Sequence, residues 1–441
     1  MRDPPRSRSD LRKVEYALYS DMLRERRRKN ESDADLVALD VLEVDNSDKL
    51  VRYQESVPPG DIEAVLLVVA ELVTPFDKSR VRGADPADPP TWETLNVGGV
   101  EVRVPKYASI HLLPDETLTV PIWLRTWPEN RSYNQYMQVY ARAIDADAAA
   151  RFLPDLISAA RSEKSPYRNR IVDASLGNGG LHLRIVPTPT ETRESLVLEE
   201  TVWSAVVRNV DRMFERMSRL EGAGLGGNRG LLLAGPPGTG KTALCRALAS
   251  EYDGRATVVI ASAAVGTYSL GGLYERLDKL SPGLVLVEDL DLIAGPREDG
   301  GSHDGLIGFL TVLDGLMTRH SGVVTVATTN DPRAIDTAAR RAARFDQTIY
   351  MDLPSEPARR AILERYLSKV SHTADLSELG AMSEGLSGAD LREVVRSSVL
   401  DSDTEVIEHE VLKNAVERLL GENRRLPITS PELGKHVGSY L

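Results

Sequence analysis

Leu231-Leu232-Leu233-Ala234-Gly235-Pro236-Pro237-Gly238-Thr239-Gly240-Lys241-Thr242 is the stretch on which the fold of this chain turns. The leucines read as a short apolar strand that runs into a glycine-rich loop, and Ala243-Leu244-Cys245-Arg246-Ala247-Leu248-Ala249 reads as a helix. Strand, loop and helix in that order are the setting of a phosphate-binding P-loop. Backbone N–H groups of a glycine-rich turn converge on phosphate oxygens where no side chain blocks them, and the following helix adds its positive end. Gly235 through Ala243 are therefore candidate ATP-binding residues. Lys241 is expected to reach the β- and γ-phosphates, and Thr242 to offer its hydroxyl to Mg²⁺.

Two more apolar strands follow. Leu284-Val285-Leu286-Val287 ends in Glu288-Asp289-Leu290-Asp291, and Val323 to Ala327 ends in Thr328-Thr329-Asn330. Carboxylates at the end of an apolar strand are costly unless a metal or a reaction uses them, which makes Glu288 and Asp289 the natural Walker B pair. An amide at the end of the third strand is placed to orient an attacking water or to contact the γ-phosphate. Taken alone, each stretch is an ordinary strand end with polar residues; their order and spacing after the P-loop join them to one nucleotide site. Upstream, Trp203, Val206, Val207, Val210, Met213, Phe214, Met217 and Leu220 recur at helical spacing, with Thr201 as the expected N-cap and glycines 222, 224, 226 and 227 as the stop.

Further motifs stand in sequence after these. They are Asp314-Gly315-Leu316, Ala327-Thr328-Thr329-Asn330-Asp331, Ile335-Asp336, Arg344-Phe345-Asp346 and Gly385-Leu386-Ser387-Gly388-Ala389-Asp390-Leu391. With them, the region from Leu198 to Leu420 resembles the AAA branch of the AAA+ ATPases. The resemblance implies an α/β module, a five-stranded parallel sheet with flanking helices, followed by a helical lid. It makes Asn330 the sensor-1 residue and Arg344 an arginine finger that reaches the γ-phosphate held by a neighbouring subunit. Gly388 and Ala389 would line the adenine and ribose side from the lid, while Arg340 and Arg341 read as surface ion-pair partners. A finger that works in trans needs an oligomer, and the resemblance implies a homo-oligomeric ring, usually a hexamer, acting on a protein substrate or complex.

The chain departs from that family's pattern in three places. The usual Walker B ends Asp-Glu, whereas Glu288-Asp289 puts the shorter acid where the water-activating carboxylate sits. Asp289 is expected to polarise the water and Glu288 to serve Mg²⁺, with slower hydrolysis. This order, together with Asp314-Gly315 and Thr328-Thr329-Asn330, resembles the AAA chaperones that assemble mitochondrial respiratory complex III. Gly266-Thr267-Tyr268-Ser269-Leu270-Gly271 follows the second core strand, Thr257 to Ala261, where threading members carry an aromatic-aliphatic-glycine loop. Ser269 interrupts that triplet, and two readings stay open: Tyr268 grips a polypeptide, or Tyr268 and Leu270 pack beneath the next helix. Gln347 stands in place of a second arginine after the finger.

At 441 residues the chain has room for two or three domains. Its pattern divides it into a basic arm over 1–30, an α+β domain for substrate or partner recognition over 31–193, the large ATPase subdomain over 194–353, the lid over 354–425 and a tail over 426–441. In the α+β domain Leu36-Val37-Ala38-Leu39, Val100 to Val104, Leu118 to Trp123 and Leu181 to Val186 read as strands, and Ala146 to Ala160 as a helix. Trp123 and Trp127 read as core or edge packing, and Pro187-Thr188-Pro189-Thr190 as a linker.

The longest apolar run, Ala64 to Ala70, falls far short of the roughly 20 residues a membrane helix needs. The N-terminus lacks the apolar part of a secretory signal. The single cysteine, Cys245, excludes an intrachain disulfide, so a cytoplasmic protein without membrane insertion is expected. The 54 Lys and Arg against 66 Asp and Glu, a net charge of -12, disfavour nucleic acid as the partner of the whole chain. The run Arg26-Arg27-Arg28-Lys29 reads as a solvated arm that could also touch phosphate. The leading expectation is an ATP-hydrolysing ring motor; a nucleic-acid loader and a nucleotide switch within a larger assembly are the alternatives.

Overall fold

The computed structural model describes residues 33–57, 61–73, 81–83, 89–112, 122–128, 135–162, 164–177, 180–262, 266–294, 313, 315, 322–331, 345–402 and 404–425. Contacts divide the chain into two units. The first comprises residues up to Pro187 with Gly254–Val259 and Gly271–Pro282, and the second the remainder.

The first unit opens with helix α1 (Asp33–Val41), strand β1 (Leu50–Val57) and helix α2 (Ile62–Val73). Strands β2 (Val81–Arg82), β3 (Thr91–Val97), β4 (Val100–Leu112), β5 (Ile122–Pro128) and β6 (Gln135–Arg142) follow, then helix α3 (Ala146–Arg161) and the hairpin β7 (Ile171–Gly177) and β8 (Gly180–Ile185). Six strands form an antiparallel sheet in the order β1-β6-β5-β4-β2, with β3 paired to the first half of β4. The apolar run from Ala64 lies in α2, which packs on β4 through Leu66, Ala70 and Val104. Among the described residues no helix is long and apolar enough to cross a membrane.

Residues 36–39, expected as a strand, are helical. A four-residue apolar run carries too little periodicity to separate a strand from a buried helix. Ala34, Val37 and Ala38 recur at helical spacing and pack with Leu42 and Tyr140.

The second unit carries helix α4 (Glu200–Gly222), strand β9 (Asn228–Ala234) and helix α5 (Lys241–Tyr252). Strand β10 (Thr257–Ser262) and helix α6 (Gly266–Lys279) are each divided between the units, at Val259/Ile260 and Leu270/Gly271. Strands β11 (Gly283–Glu288), β12 (Val323–Thr329) and β13 (Gln347–Tyr350) complete the parallel core. Within the unit they run in the order β13-β9-β12-β11, with Leu233 beside Ile349 and Val326 between Leu231 and Leu286. Leu231 to Ala234 and Leu284 to Val287 are all buried, as parallel strands covered on both faces must be. The parallel strands β9, β11 and β12 end at the same edge of the sheet, which brings the P-loop, Asp289 and Asn330 together.

Two local expectations are corrected. α4 begins one residue before Thr201, with Glu199 in the cap position and no side-chain cap bond, so Thr201 lies inside the first turn. Gly266 to Gly271 opens a helix instead of forming a loop, and Leu270 in it is buried. The side chains of Tyr268, Trp123 and Trp127 lie outside the described residues, as do the basic arm, Arg340, Arg341, Arg344 and the tail.

The region expected as a lid contains helices α7 (Glu356–Leu367), α8 (Leu376–Met382), α9 (Gly388–Asp401) and α10 (His409–Arg425), with the short pair β14 (Ser371–His372) and β15 (Val406–Ile407). Leu363, Leu379, Leu386, Leu391, Val394 and Leu412 form its core. α9 starts on a capping box: Ser387 Oγ accepts from Asp390 N–H, and the Asp390 carboxylate takes the Ser387 N–H in return at 2.8 Å.

In the first unit a single buried carboxylate, Asp61, receives two guanidinium groups. Arg161 approaches its Oδ2 at 2.5 Å and Arg276 its Oδ1 at 3.0 Å. Both guanidinium groups keep part of their exposure, so removing the carboxylate costs its charge-assisted hydrogen bonds and not the full penalty of a stranded buried charge. Asp61→Ala is therefore expected to destabilise the protein by about 2 kcal/mol, measured as a lower denaturation midpoint; an unmoved midpoint would sink the assignment.

Candidate nucleotide site

Glycine is required at the P-loop for reasons the geometry makes explicit. Gly238 and Gly240 adopt φ of 79° and 98°, left-handed backbone that costs other residues about 1 kcal/mol or more. A Cβ on Gly235 would lie 2.1 Å from the carbonyl oxygen of Met351, and one on Gly238 2.4 Å from Ser387 Oγ. The loop is closed on itself by Thr239 Oγ1, which donates to the Pro236 carbonyl at 2.9 Å. α5 starts at Lys241, so the N–H groups of its first residues have no partner within the helix and are available to an anion.

Lys241 is only 5% exposed, and its Nζ donates to the carbonyls of Gly235 and Pro236 at 2.9 and 2.7 Å. Burial lowers its pKa to about 8, against the opposing pull of Asp291 and Asp289. Beside it β11 ends. Asp289 turns out of β11 with a left-handed φ of 55°, and its N–H donates to Thr328 Oγ1 at 2.9 Å. Asn330 Nδ2 reaches Asp289 Oδ1 at 3.4 Å, and the Asn330 N–H donates to Asp291 Oδ1 at 2.9 Å. Glu288, the last residue of the strand, is half-buried; burial first, then Asp289, raises its pKa, while Arg246 opposes them. Cys245 is buried behind this edge, and burial first, then the Glu288 and Asp289 charges, pushes its thiol pKa up.

A cavity of about 460 Å³ opens over the loop. That volume suits a small-molecule ligand. Pro237 through Ala243, Asp289, Asn330, Gly388 and Ala389 all line it. Gly235 and Pro236 lie behind the lining and serve it through the carbonyls that hold Lys241. Glu288 is not in the lining, and Arg344 lies outside the described residues. The donors and the buried ammonium fit a polyphosphate. Thr242 and Asp289 fit a Mg²⁺ shared with phosphates, since that cation takes one or two carboxylates plus substrate oxygens in preference to a closed protein cage. Among the described residues no group of three or more His, Cys, Asp or Glu is placed to hold a metal ion by itself.

Sequence reading missed part of this lining. Leu196, Val197 and Leu198 form an apolar wall, Ile362 and Tyr366 face it from α7, and Arg392 stands one turn beyond Gly388 on α9. The i, i+4 spacing of Ile362 with Tyr366 and of Gly388 with Arg392 was the available signal. It selects a helix face, but not what that face meets.

Residues 231–353 match the family described as ATPase family associated with various cellular activities (AAA). This region is an AAA-type ATPase domain, of the AAA+ superfamily of ATP-hydrolysing enzymes. Its relatives include the ATP-dependent zinc metalloprotease FtsH of Marinobacter nauticus, 37% identical over 223 residues, covering 46% of this chain and 35% of that protein. FtsH of Helicobacter pylori strain J99 is 30% identical over 231 residues, 48% of this chain and 37% of that protein. FtsH of Mycobacterium tuberculosis is 34% identical over 241 residues, 51% and 31% respectively. The chain thus spans about a third of the length of these relatives.

The depressed pKa of Lys241 gives the ATPase domain a pH signature. Without nucleotide the lysine loses its proton as pH rises through about 8, and bound phosphates favour the charged form. ATP affinity is therefore expected to be flat below pH 7 and to fall above pH 8, with proton uptake on binding in the alkaline range. Calorimetric titration at pH 9 in buffers of different ionisation enthalpy measures that uptake; its absence would contradict the assignment of Lys241.

Proposed function

We propose that the chain is an ATP-driven motor that works in the cytoplasm as a homo-oligomeric ring, a hexamer, and remodels a protein substrate or complex selected by its N-terminal domain. The observation that carries this reading is the lining of one cavity by Lys241, Asp289, Asn330 and the lid pair Gly388 and Ala389. Phosphate chemistry and a movable helical lid share that space. The relatives' name couples ATP to proteolysis; only ATP-driven action on protein is carried over to this chain. The narrower likeness to complex III assembly chaperones rests on the Glu288-Asp289 order, Asp314-Gly315 and Thr328-Thr329-Asn330.

The residues divide the work as follows. The N–H groups at the start of α5 hold the phosphates, and Lys241 exchanges its two loop carbonyls for β- and γ-phosphate oxygens. Thr242 and the Glu288-Asp289 pair would hold Mg²⁺, Asp289 from the cavity lining and Glu288 from behind it, and the ion would neutralise charge on the transferring group. Asp289 takes hydrogen-bond donation from the attacking water, and the Asn330 amide, already within reach of that carboxylate, orients it. Arg344 supplies the last cation to the site of the neighbouring subunit. The lid then transmits the change in nucleotide to the ring.

Asp289→Asn keeps the shape of the side chain and removes its charge. It should reduce the ATPase rate by about 100-fold or more while ATP still binds, and unchanged turnover would remove Asp289 from the water-activating role. The shared site is tested by mixing. Arg344→Ala and Lys241→Ala subunits should each be inactive alone, and mixed rings should recover activity at junctions that pair an intact P-loop with an intact finger. No recovery in rings shown to contain both would overturn the trans assignment.

A further inference from the structure

The antiparallel sheet of the first unit runs β1-β6-β5-β4-β2, so β1 and β2 are its edges. The described part of β2 is two residues long, Val81–Arg82, and a short edge strand offers little to a passing chain. β1 is different. It spans eight residues, Leu50–Val57, and pairs with β6 over its whole length in unbroken register, from Leu50 beside Arg142 to Val57 beside Gln135. An antiparallel ladder uses alternate residues of each strand, so every second residue of β1 turns its N–H and C=O away from β6. Among the described residues those outward groups have no hydrogen-bond partner.

Edges of this kind are ordinarily blunted by proline, by lysine or by a bulge. β1, Leu50-Val51-Arg52-Tyr53-Gln54-Glu55-Ser56-Val57, has neither proline nor lysine, and its register carries no bulge. Arg52, Gln54, Glu55 and Ser56 are exposed. One end of the edge is apolar. The turn Ala143–Asp145 after β6 touches Ser47–Lys49, which leads into β1, and it holds Ile144 at 87% exposure, the most exposed large hydrophobic residue described. What complements a row of outward N–H and C=O groups at strand spacing is another extended main chain. The side chains define it further. Val51, Tyr53 and Val57 are partly or fully buried in one row, whereas Arg52, Gln54 and Ser56 are exposed in the other. A strand laid beside β1 continues both rows, so it would place apolar residues along the first and polar ones along the second, with an acid favoured opposite Arg52.

We infer that β1 is a docking edge for an extended segment of the protein substrate, which joins the sheet as one more strand and sets an apolar residue against Ile144. This rests on the proposal above that the N-terminal domain selects a protein substrate, and it names where the selection occurs. Main-chain bonds supply the affinity and tolerate many sequences; the two rows and Ile144 supply the preference.

The test is hydrogen–deuterium exchange of the full chain, in the presence of a non-hydrolysable ATP analogue with an imido bridge, alone and with reduced and carboxymethylated lactalbumin, a permanently unfolded polypeptide. Alternate amides of residues 50–57 should exchange at least about fivefold more slowly when the polypeptide is present. Of Gln54→Pro and Glu55→Pro, one removes an outward N–H and the other an N–H bonded to β6. The first should keep the unfolding temperature of the unaltered chain and bind the polypeptide at least about tenfold more weakly; the second should lower that temperature. Unchanged binding by the variant that keeps its fold, or protection elsewhere in residues 33–185 but not in 50–57, would overturn the edge while leaving substrate selection by this region standing. Protection of 50–57 that rises with protein concentration and needs no polypeptide would make the occupant a second copy of the chain and overturn the inference as well. No protection anywhere in residues 33–185 would remove the selection reading and the inference with it.

Discussion

Lys241 holds an ammonium group at 5% exposure against two carbonyls of its own loop, and much of the surrounding architecture serves to make that position tolerable. A buried charge is costly unless it is paired or hydrogen-bonded. Here the bonds come from Gly235 and Pro236, and part of the remaining cost is offset by the fields of Asp289 and Asp291. The loop that carries these carbonyls takes left-handed backbone at Gly238 and Gly240 and passes against Met351 at Gly235, where a Cβ has no room. What the fold presents to an incoming anion is thus a cation with its desolvation already incurred. Phosphate oxygens, in the proposed site, would return to Lys241 the charge stabilisation that burial removes.

The same constraint reaches the lid. Gly388 meets Gly238 with no side chain between them, so the α9 N-terminus approaches the P-loop as closely as backbone allows. The capping box at Ser387 and Asp390 fixes where α9 begins, and its loss would free the first N–H groups to seek other partners. The contact ties the start of α9 to the loop, and the 14-residue helix beyond the cap runs into the helical core at Leu391, Val394 and Val395.

The P-loop and the ends of β11 and β12 were legible in the sequence because their signals are local. A strand of buried leucines, a glycine-rich turn and a helix lie within one continuous stretch, and polar residues close two more buried strands. The helical identity of residues 36–39 was not legible, since four apolar residues satisfy both periodicities and only the packing of Ala34, Val37 and Ala38 on Leu42 and Tyr140 decides. Thr201 failed as a cap for a related reason: a hydroxyl beside a helix start is a tendency, and the first turn formed two residues earlier, with Glu199 in the cap position. Asp291 was visible as the fourth residue of a polar run, but its bond to the Asn330 N–H joins positions 39 apart. The apolar wall at Leu196 to Leu198 and the α7 side chains facing it belong to the same class, because each acquires meaning only where distant segments meet.

The exchanged Walker B pair has a backbone explanation that the order of letters alone does not supply. Asp289 sits at φ 55°, a left-handed conformation in which aspartate and asparagine are several-fold enriched over other residues. A glutamate at that position would add a methylene of reach while losing the conformational tolerance of the shorter acid. The turn is held from both sides, by the Asp289 N–H on Thr328 Oγ1 and by the Asn330 amide on the carboxylate. Shortening the acid by one methylene therefore trades reach for a fixed position. The backbone of the shorter acid is tied to β12 through Thr328, and its carboxylate lies within reach of the Asn330 amide just beyond that strand, so the position of the acid is set by the turn more than by the length of its side chain.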